Sequence, residues 1–149
     1  MTLLPESQPM LDITEASGAQ GSLDTLYNPV VVDHIAHPRN LGVLENATGT
    51  GLVDDSESEN LIVMYVRVEA DCILAASFRA LACSACIAAS SITTCLLPGR
   101  SASAAPLTGL DVLTALGGLP ESKLHCAELA ARAANLALAS HGAAVTVQR

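Results

Sequence analysis

Residues 61–97 read LIVMYVRVE, AD, CILAASFRAL, A and CSACIAASSITTCLL in succession. Leu61 to Glu69 is rich in β-branched residues, Ala70-Asp71 make a turn, and Cys72 to Leu81 is a further extended run, so the pair reads as a hairpin. From Cys83 the pattern turns to small and aliphatic residues as far as Leu97, where Pro98-Gly99 stops it; this is the pattern of a helix. Just upstream, Gly49-Thr50-Gly51-Leu52-Val53 reads as a short first strand, joined to the hairpin by an acidic loop from Asp54 to Asn60. A three-strand meander feeding directly into a helix decides the fold class.

The flanks agree with that core. Asn28 before Pro29 is an N-cap with proline at the first helical position, and Val30, Val31, His34 and Ile35 line one face of a short helix ended by Pro38, Asn40 and Gly42. Beyond a small-residue linker from Arg100 to Ala105, Leu110 to Leu116 is a short helix ended by Gly117-Gly118. Ser122 to Ser140 is a long one closed by Gly142. The expected architecture is α+β: a small three-stranded antiparallel sheet with helices packed on one face. Residues 1–22, rich in Ser, Thr, Gly, Gln and Pro, are expected to be a flexible lead-in, and 23–149 a single domain. No internal repeat is visible.

At 149 residues and 50% apolar composition, with a mean hydropathy of +0.43, the chain has enough apolar surface for one core. With one Phe, two Tyr and no Trp, that core must be built from Ala, Leu, Val and Ile. A net charge of −8 argues against nucleic acid or an anionic membrane as partner, and the lack of aromatics removes base stacking. Ten of the fifteen acidic residues precede position 61, so an acidic front could meet a basic partner or be a solvated loop. No apolar stretch is long enough to span a membrane. Glu6, Asp12 and Glu15 without Lys or Arg fit neither a secretory signal nor a transit peptide, so the expected compartment is the cytoplasm. Five cysteines, an odd number, point to reduced thiols rather than a disulfide framework.

The thiols fall in two clusters. Cys83-Ser84-Ala85-Cys86 opens one helix, with Cys83 and Cys86 a turn apart and able to face the same side; Lys123-Leu124-His125-Cys126 opens another. Free N–H groups at a helix start stabilise thiolates, and thiolates with imidazole suit zinc, iron or an iron-sulfide cluster rather than Mg or Ca. For Cys83 and Cys126 a plain core role stands beside the ligand role. Cys95, sharing a helix face with Ala88 and Ile92, reads as core, and Cys72 as structural or incidental. His34 and His37 flank the end of the first helix, where positive charge suits the dipole. His141 reads as an exposed cap.

The chain resembles the iron-sulfur cluster assembly scaffold family, comprising IscU-type proteins and the N-terminal domain of NifU. Three ordered blocks carry the resemblance: YNPVVVDHIAHPRNLGVLENATGTGLV at 27–53, FRALACSACIAASS at 78–91, and LPESKLHCAELAARA at 119–133. The resemblance implies a small scaffold that accepts sulfur from a cysteine desulfurase, binds iron, assembles a [2Fe-2S] cluster and passes it to iron-sulfur acceptor proteins, without turnover chemistry of its own. Position by position, Cys83 is similar to the middle cluster ligand, Cys126 to the last ligand and sulfur acceptor, His125 to its neighbouring ligand, and Lys123 to a cation that acts on ligand exchange.

The chain also departs from the family pattern. Where the family has a Cys-Gly-Asp segment with two ligands, the loop reads DDSESEN, placing Ser58 and Asn60 at those positions. The expected replacement is Cys86, giving a Cys83, Cys86, His125 and Cys126 set for zinc or a labile cluster, with Asp54, Asp55, Glu57 or Glu59 able to add a carboxylate. Leu119-Pro120-Glu121-Ser122-Lys123 departs from the family's chaperone-recognition motif, which speaks against a dedicated chaperone. Two other readings stand beside the scaffold: a non-assembling paralogue that docks a desulfurase or other partner through the Tyr27 to Leu41 surface with structural zinc, and a persulfide relay through Cys126 alone.

Overall fold

A computed structural model describes residues 23, 25–141 and 146–148. The expected lead-in over 1–22 and the Gly142 stop lie outside the described residues. Helix α1 (Pro29–Ala36) precedes strands β1 (Gly49–Asp55), β2 (Asn60–Glu69) and β3 (Cys72–Leu81). Then come α2 (Ser84–Leu96), α3 (Gly109–Leu116), a 3₁₀ turn (Glu121–Lys123), α4 (Leu124–Ala139) and β4 (Thr146–Gln148). The order is that of an α+β domain, as expected.

β1 pairs antiparallel with β2 from Gly49↔Val66 to Asp55↔Asn60, and β2 with β3 from Leu61↔Leu81 to Glu69↔Cys72. The two-residue turn between β2 and β3 holds Ala70 at φ 49 and Asp71 at φ 64, the left-handed pair that matches the twist of a tight hairpin. A bulge between Arg67 and Val68 interrupts the second ladder. The sequence pattern did not reveal β4, which is only three residues long and adds a parallel edge to β1, giving the order β3-β2-β1-β4.

Strict alternation along β2 buries Asn60, Ile62, Met64, Val66 and Val68 and leaves the intervening residues partly exposed, so the helices cover one face. Phe78 of β3 is fully buried among them. α4 crosses β1 on its alanines, with Ala130, Ala133, Ala134 and Ala137 wholly buried. This approach needs glycine in the strand. A Cβ on Gly51 would lie 2.5 Å from the Ala137 nitrogen and 2.6 Å from the Ala133 oxygen, inside any tolerable contact.

The caps fix where the helices begin. Asn28 Oδ1 accepts from Val31 N–H at 3.0 Å, while its Nδ2 donates to the Leu116 carbonyl at 3.0 Å, tying the start of α1 to the end of α3. Thr108 and Asp111 form a capping box on α3, and Gly117 ends that helix at φ 83.

Two expectations about side chains are corrected. His34 is not a charged group at a helix end: it is buried, its Nδ1 lies 2.7 Å from Ser91 Oγ, and burial pushes its pKa below the ordinary value. Since Ser91 Oγ also accepts from Arg39 N–H at 2.8 Å, its own hydrogen is left for His34 Nδ1, which suits a neutral ring. Cys95 is not a core residue but exposed: Ala88 and Ser91 on the same face of α2 are fully buried, but Cys95 lies in the last turn of the helix, where that cover has ended. Among the described residues no helix is long and apolar enough to cross a membrane.

Candidate metal centre

The start of α2 and the start of α4 meet above the β1–β2 hairpin. Cys83 is the N-cap of α2, with extended backbone (φ −71, ψ 165); its carbonyl accepts from Ile87 N–H at 3.0 Å and its N–H donates to Asn60 Oδ1 at 2.9 Å. Cys86 follows in the first turn and is fully buried. Cys126 lies in the first turn of α4, also fully buried, while Cys83 is half-buried. The Cys83 and Cys126 sulfurs are 3.6 Å apart, and the sulfurs of Cys83, Cys86 and Cys126 all lie within 4.8 Å of one another.

Three thiols this close cannot ionise independently. Hydrogen bonds from the Cys126 and Cys86 thiols, with Lys123 adding its charge, pull the Cys83 pKa far below the ordinary thiol value. Cys126 is pushed up by its hydrogen bond to Cys83, and Cys86 by its hydrogen bonds to Cys126 and Cys83. A thiolate at Cys83 is thus stabilised by two neighbouring thiols. Lys123, which ends the 3₁₀ turn, has its pKa raised by the charge on Cys83. Burial raises the Tyr27 pKa, with Lys123 opposing and Cys83 adding. Tyr27 is thus part of the same electrostatic neighbourhood, which nothing in its sequence context signalled.

His125 is exposed, with Nε2 3.8 Å from Cys126 Sγ, and stands outside the mutual contact of the three sulfurs. None of Asp54, Asp55, Glu57 and Glu59 joins that contact among the described residues. Ser58 donates to Asp55 Oδ2 at 2.6 Å and accepts from Asn60 Nδ2 at 2.8 Å. The loop side chains are engaged with each other and with the start of α2, an arrangement that reading Ser58 and Asn60 only as lost ligands did not anticipate. The signal was present: Asn60 is in phase with Ile62, Met64 and Val66 on the core face of its strand.

A family model described as NifU-like N terminal domain matches residues 26–147. The chain belongs to that family. An iron-sulfur cluster assembly scaffold protein IscU of Archaeoglobus fulgidus is 37% identical over 117 residues, covering 78% of this chain and 76% of the relative. The IscU scaffold protein of Aquifex aeolicus is 36% identical over 115 residues, covering 75% and 73%. Among solved structures, a NifU-like N-terminal protein from Brucella abortus superposes with a TM-score of 0.62 at 15% identity, covering 78% of this chain and 94% of that one. At that identity the likeness speaks to the fold.

In this NifU-like domain the donor set fits a thiophilic metal. Tetrahedral coordination at the Zn–S distance of about 2.3 Å separates neighbouring sulfurs by about 3.8 Å, close to the 3.6 Å between Cys83 and Cys126. A divalent or trivalent cation would also supply the positive charge that three adjacent thiolates require. Of the three cysteines only Cys83 is partly exposed, while the exposed His125 stands beside Cys126.

Proposed function

We propose that this protein is an iron-sulfur cluster assembly scaffold or carrier whose metal centre is Cys83, Cys86 and Cys126, completed by His125. The observation that carries the reading is the convergence of three sulfurs from α2 and α4 in a chain of the NifU-like family. Iron, or iron and sulfide as a [2Fe-2S] cluster, is cargo rather than a resident cofactor. Cys126 is the sulfur acceptor: it passes its proton to the Cys83 thiolate 3.6 Å away, its sulfur attacks the outer sulfur of a persulfide on a cysteine desulfurase, the new S–S bond forms on Cys126, and the donor cysteine leaves as thiolate. Lys123 stabilises negative charge on the cluster of thiols during that exchange. Acceptor proteins then take the cargo on the side of the exposed His125.

Anaerobic reconstitution with iron, sulfide and a desulfurase tests this reading. Cluster absorption bands that vanish in Cys86→Ser support it; a protein that takes up neither iron nor sulfide refutes it. A second reading is favoured by the spacing of the sulfurs, which suits one tetrahedral ion: a partner-binding regulator holding structural zinc. Stoichiometric zinc with no cluster under reconstitution is its signature. Persulfide on Cys126 without metal marks a simple sulfur relay.

A further inference from the structure

Asn60 opens β2 on the face that carries Ile62, Met64, Val66 and Val68 into the core, and only 2% of its surface is exposed. A carboxamide at a core position is stable only when its donors and acceptor are engaged. Its Oδ1 accepts from Cys83 N–H at 2.9 Å, and its Nδ2 donates to Ser58 Oγ at 2.8 Å. Ser58 in turn passes its hydrogen to Asp55 Oδ2 at 2.6 Å. Asp55 and Asn60 are the register pair that closes the β1–β2 hairpin, and Glu59, at φ 60, turns the chain back into β2 between them. A relay of hydrogen bonds thus runs from the end of β1 to the first residue of the α2 start.

Cys83 needs that external hold. As the N-cap of α2 it makes no side-chain cap bond, and a thiol is a poor substitute for the oxygen of Ser, Asp or Asn at such a position. With the Cys83 N–H fixed by Asn60 and its carbonyl committed to Ile87 N–H, the Cα–Cβ direction is set, and it carries the sulfur to 3.6 Å from Cys126. We infer that Asn60 is a positioning residue of the metal centre: it aims the Cys83 sulfur at Cys86 and Cys126 through the Cys83 backbone, with Ser58 and Asp55 holding its amide in orientation. The inference deepens the thiol-centred reading and rests on it. The hairpin loop acts on the site by steering a ligand, not by donating one.

Two measurements on the full chain test this. In the metal-free, reduced protein, iodoacetamide labelling of Cys83 is followed by peptide mass spectrometry, with exposed Cys95 as internal reference. In parallel, cobalt(II) is titrated and its thiolate charge-transfer band recorded. Asn60→Ala should raise the Cys83 to Cys95 labelling ratio about fivefold, the equivalent of one net hydrogen bond, and weaken cobalt(II) binding by a similar factor with a shifted band. Asn60→Asp gives up the bond to Ser58 but keeps an acceptor for Cys83 N–H, and should hold the labelling ratio below that of Asn60→Ala. A folded Asn60→Ala protein with lower thermal stability but the parent's labelling ratio and cobalt band would overturn the inference. If that variant does not fold, hydrogen exchange of the parent decides: protection of the Cys83 N–H supports the hold, and exchange at the rate of a free amide refutes it. Failure of the parent to bind cobalt(II) would sink the thiol-centred reading instead, and the labelling ratio would still judge Asn60.

Discussion

The sulfurs of Cys83 and Cys126 lie 3.6 Å apart although the residues are 43 positions apart in the chain. They belong to different helices, one launched from the end of β3 and the other laid across β1. Packing of α2 against α4 brings their starts together, and the buried Cys86 sits within reach of both. Replacing one thiol therefore removes a vertex of a common site rather than a local contact.

Cys86→Ser should weaken cobalt(II) or zinc binding at least 100-fold, since even outer-shell changes at metal sites cost about 10- to 100-fold. Cys95→Ser, exposed in the last turn of the same helix, should leave binding unchanged. Competition titration against a chromophoric chelator measures both.

Metal uptake should release protons. The Cys83 pKa lies below the ordinary thiol value and those of Cys86 and Cys126 above it, so binding of one ion by all three sulfurs at neutral pH should expel about two protons. Calorimetric titration of zinc in buffers of different ionisation enthalpy reads the number, and apparent affinity should rise with pH.

The buried His34 should make the fold sensitive to mild acid. Its folded pKa is depressed below 6.5, so the unfolded chain takes the proton first, and stability present above that pH is lost as pH falls below it. Urea melts between pH 8 and 5 should show the decline, and His34→Gln should flatten that part of the profile while lowering stability throughout.

Asn28→Ala removes an N-cap acceptor and a tie to α3 in one change. The expected loss is about 1–2 kcal/mol, measured by denaturant unfolding, with metal affinity little altered.

Much of this was legible in the residues. The alternation of Leu61 to Glu69, the Ala70-Asp71 turn and the Pro98-Gly99 stop fixed the meander and the helix after it, and β3 spans the expected Cys72–Leu81. Cys83, Cys86 and Cys126 were recognisable because thiols at helix starts have a chemical reason to be there. Cys95 misled because a helical wheel says which residues share a face, not how far along the helix that face stays covered: Ala88 and Ser91 are buried, and Cys95 in the last turn is not. β4 was too short to carry a pattern. The role of Asn60 needed both its phase in the strand and knowledge of what lies opposite, and only the second came from three dimensions.

Gly51 lets the alanine helix α4 settle against the strand with no side chain between them. Because a helix is stiff along its length, the depth at which Ala133 and Ala137 come to rest governs the height of Cys126 at its other end. The strand glycine is in effect a shim of zero thickness beneath a lever whose tip carries a sulfur. A methyl group inserted there would spoil the alignment of a site it never touches.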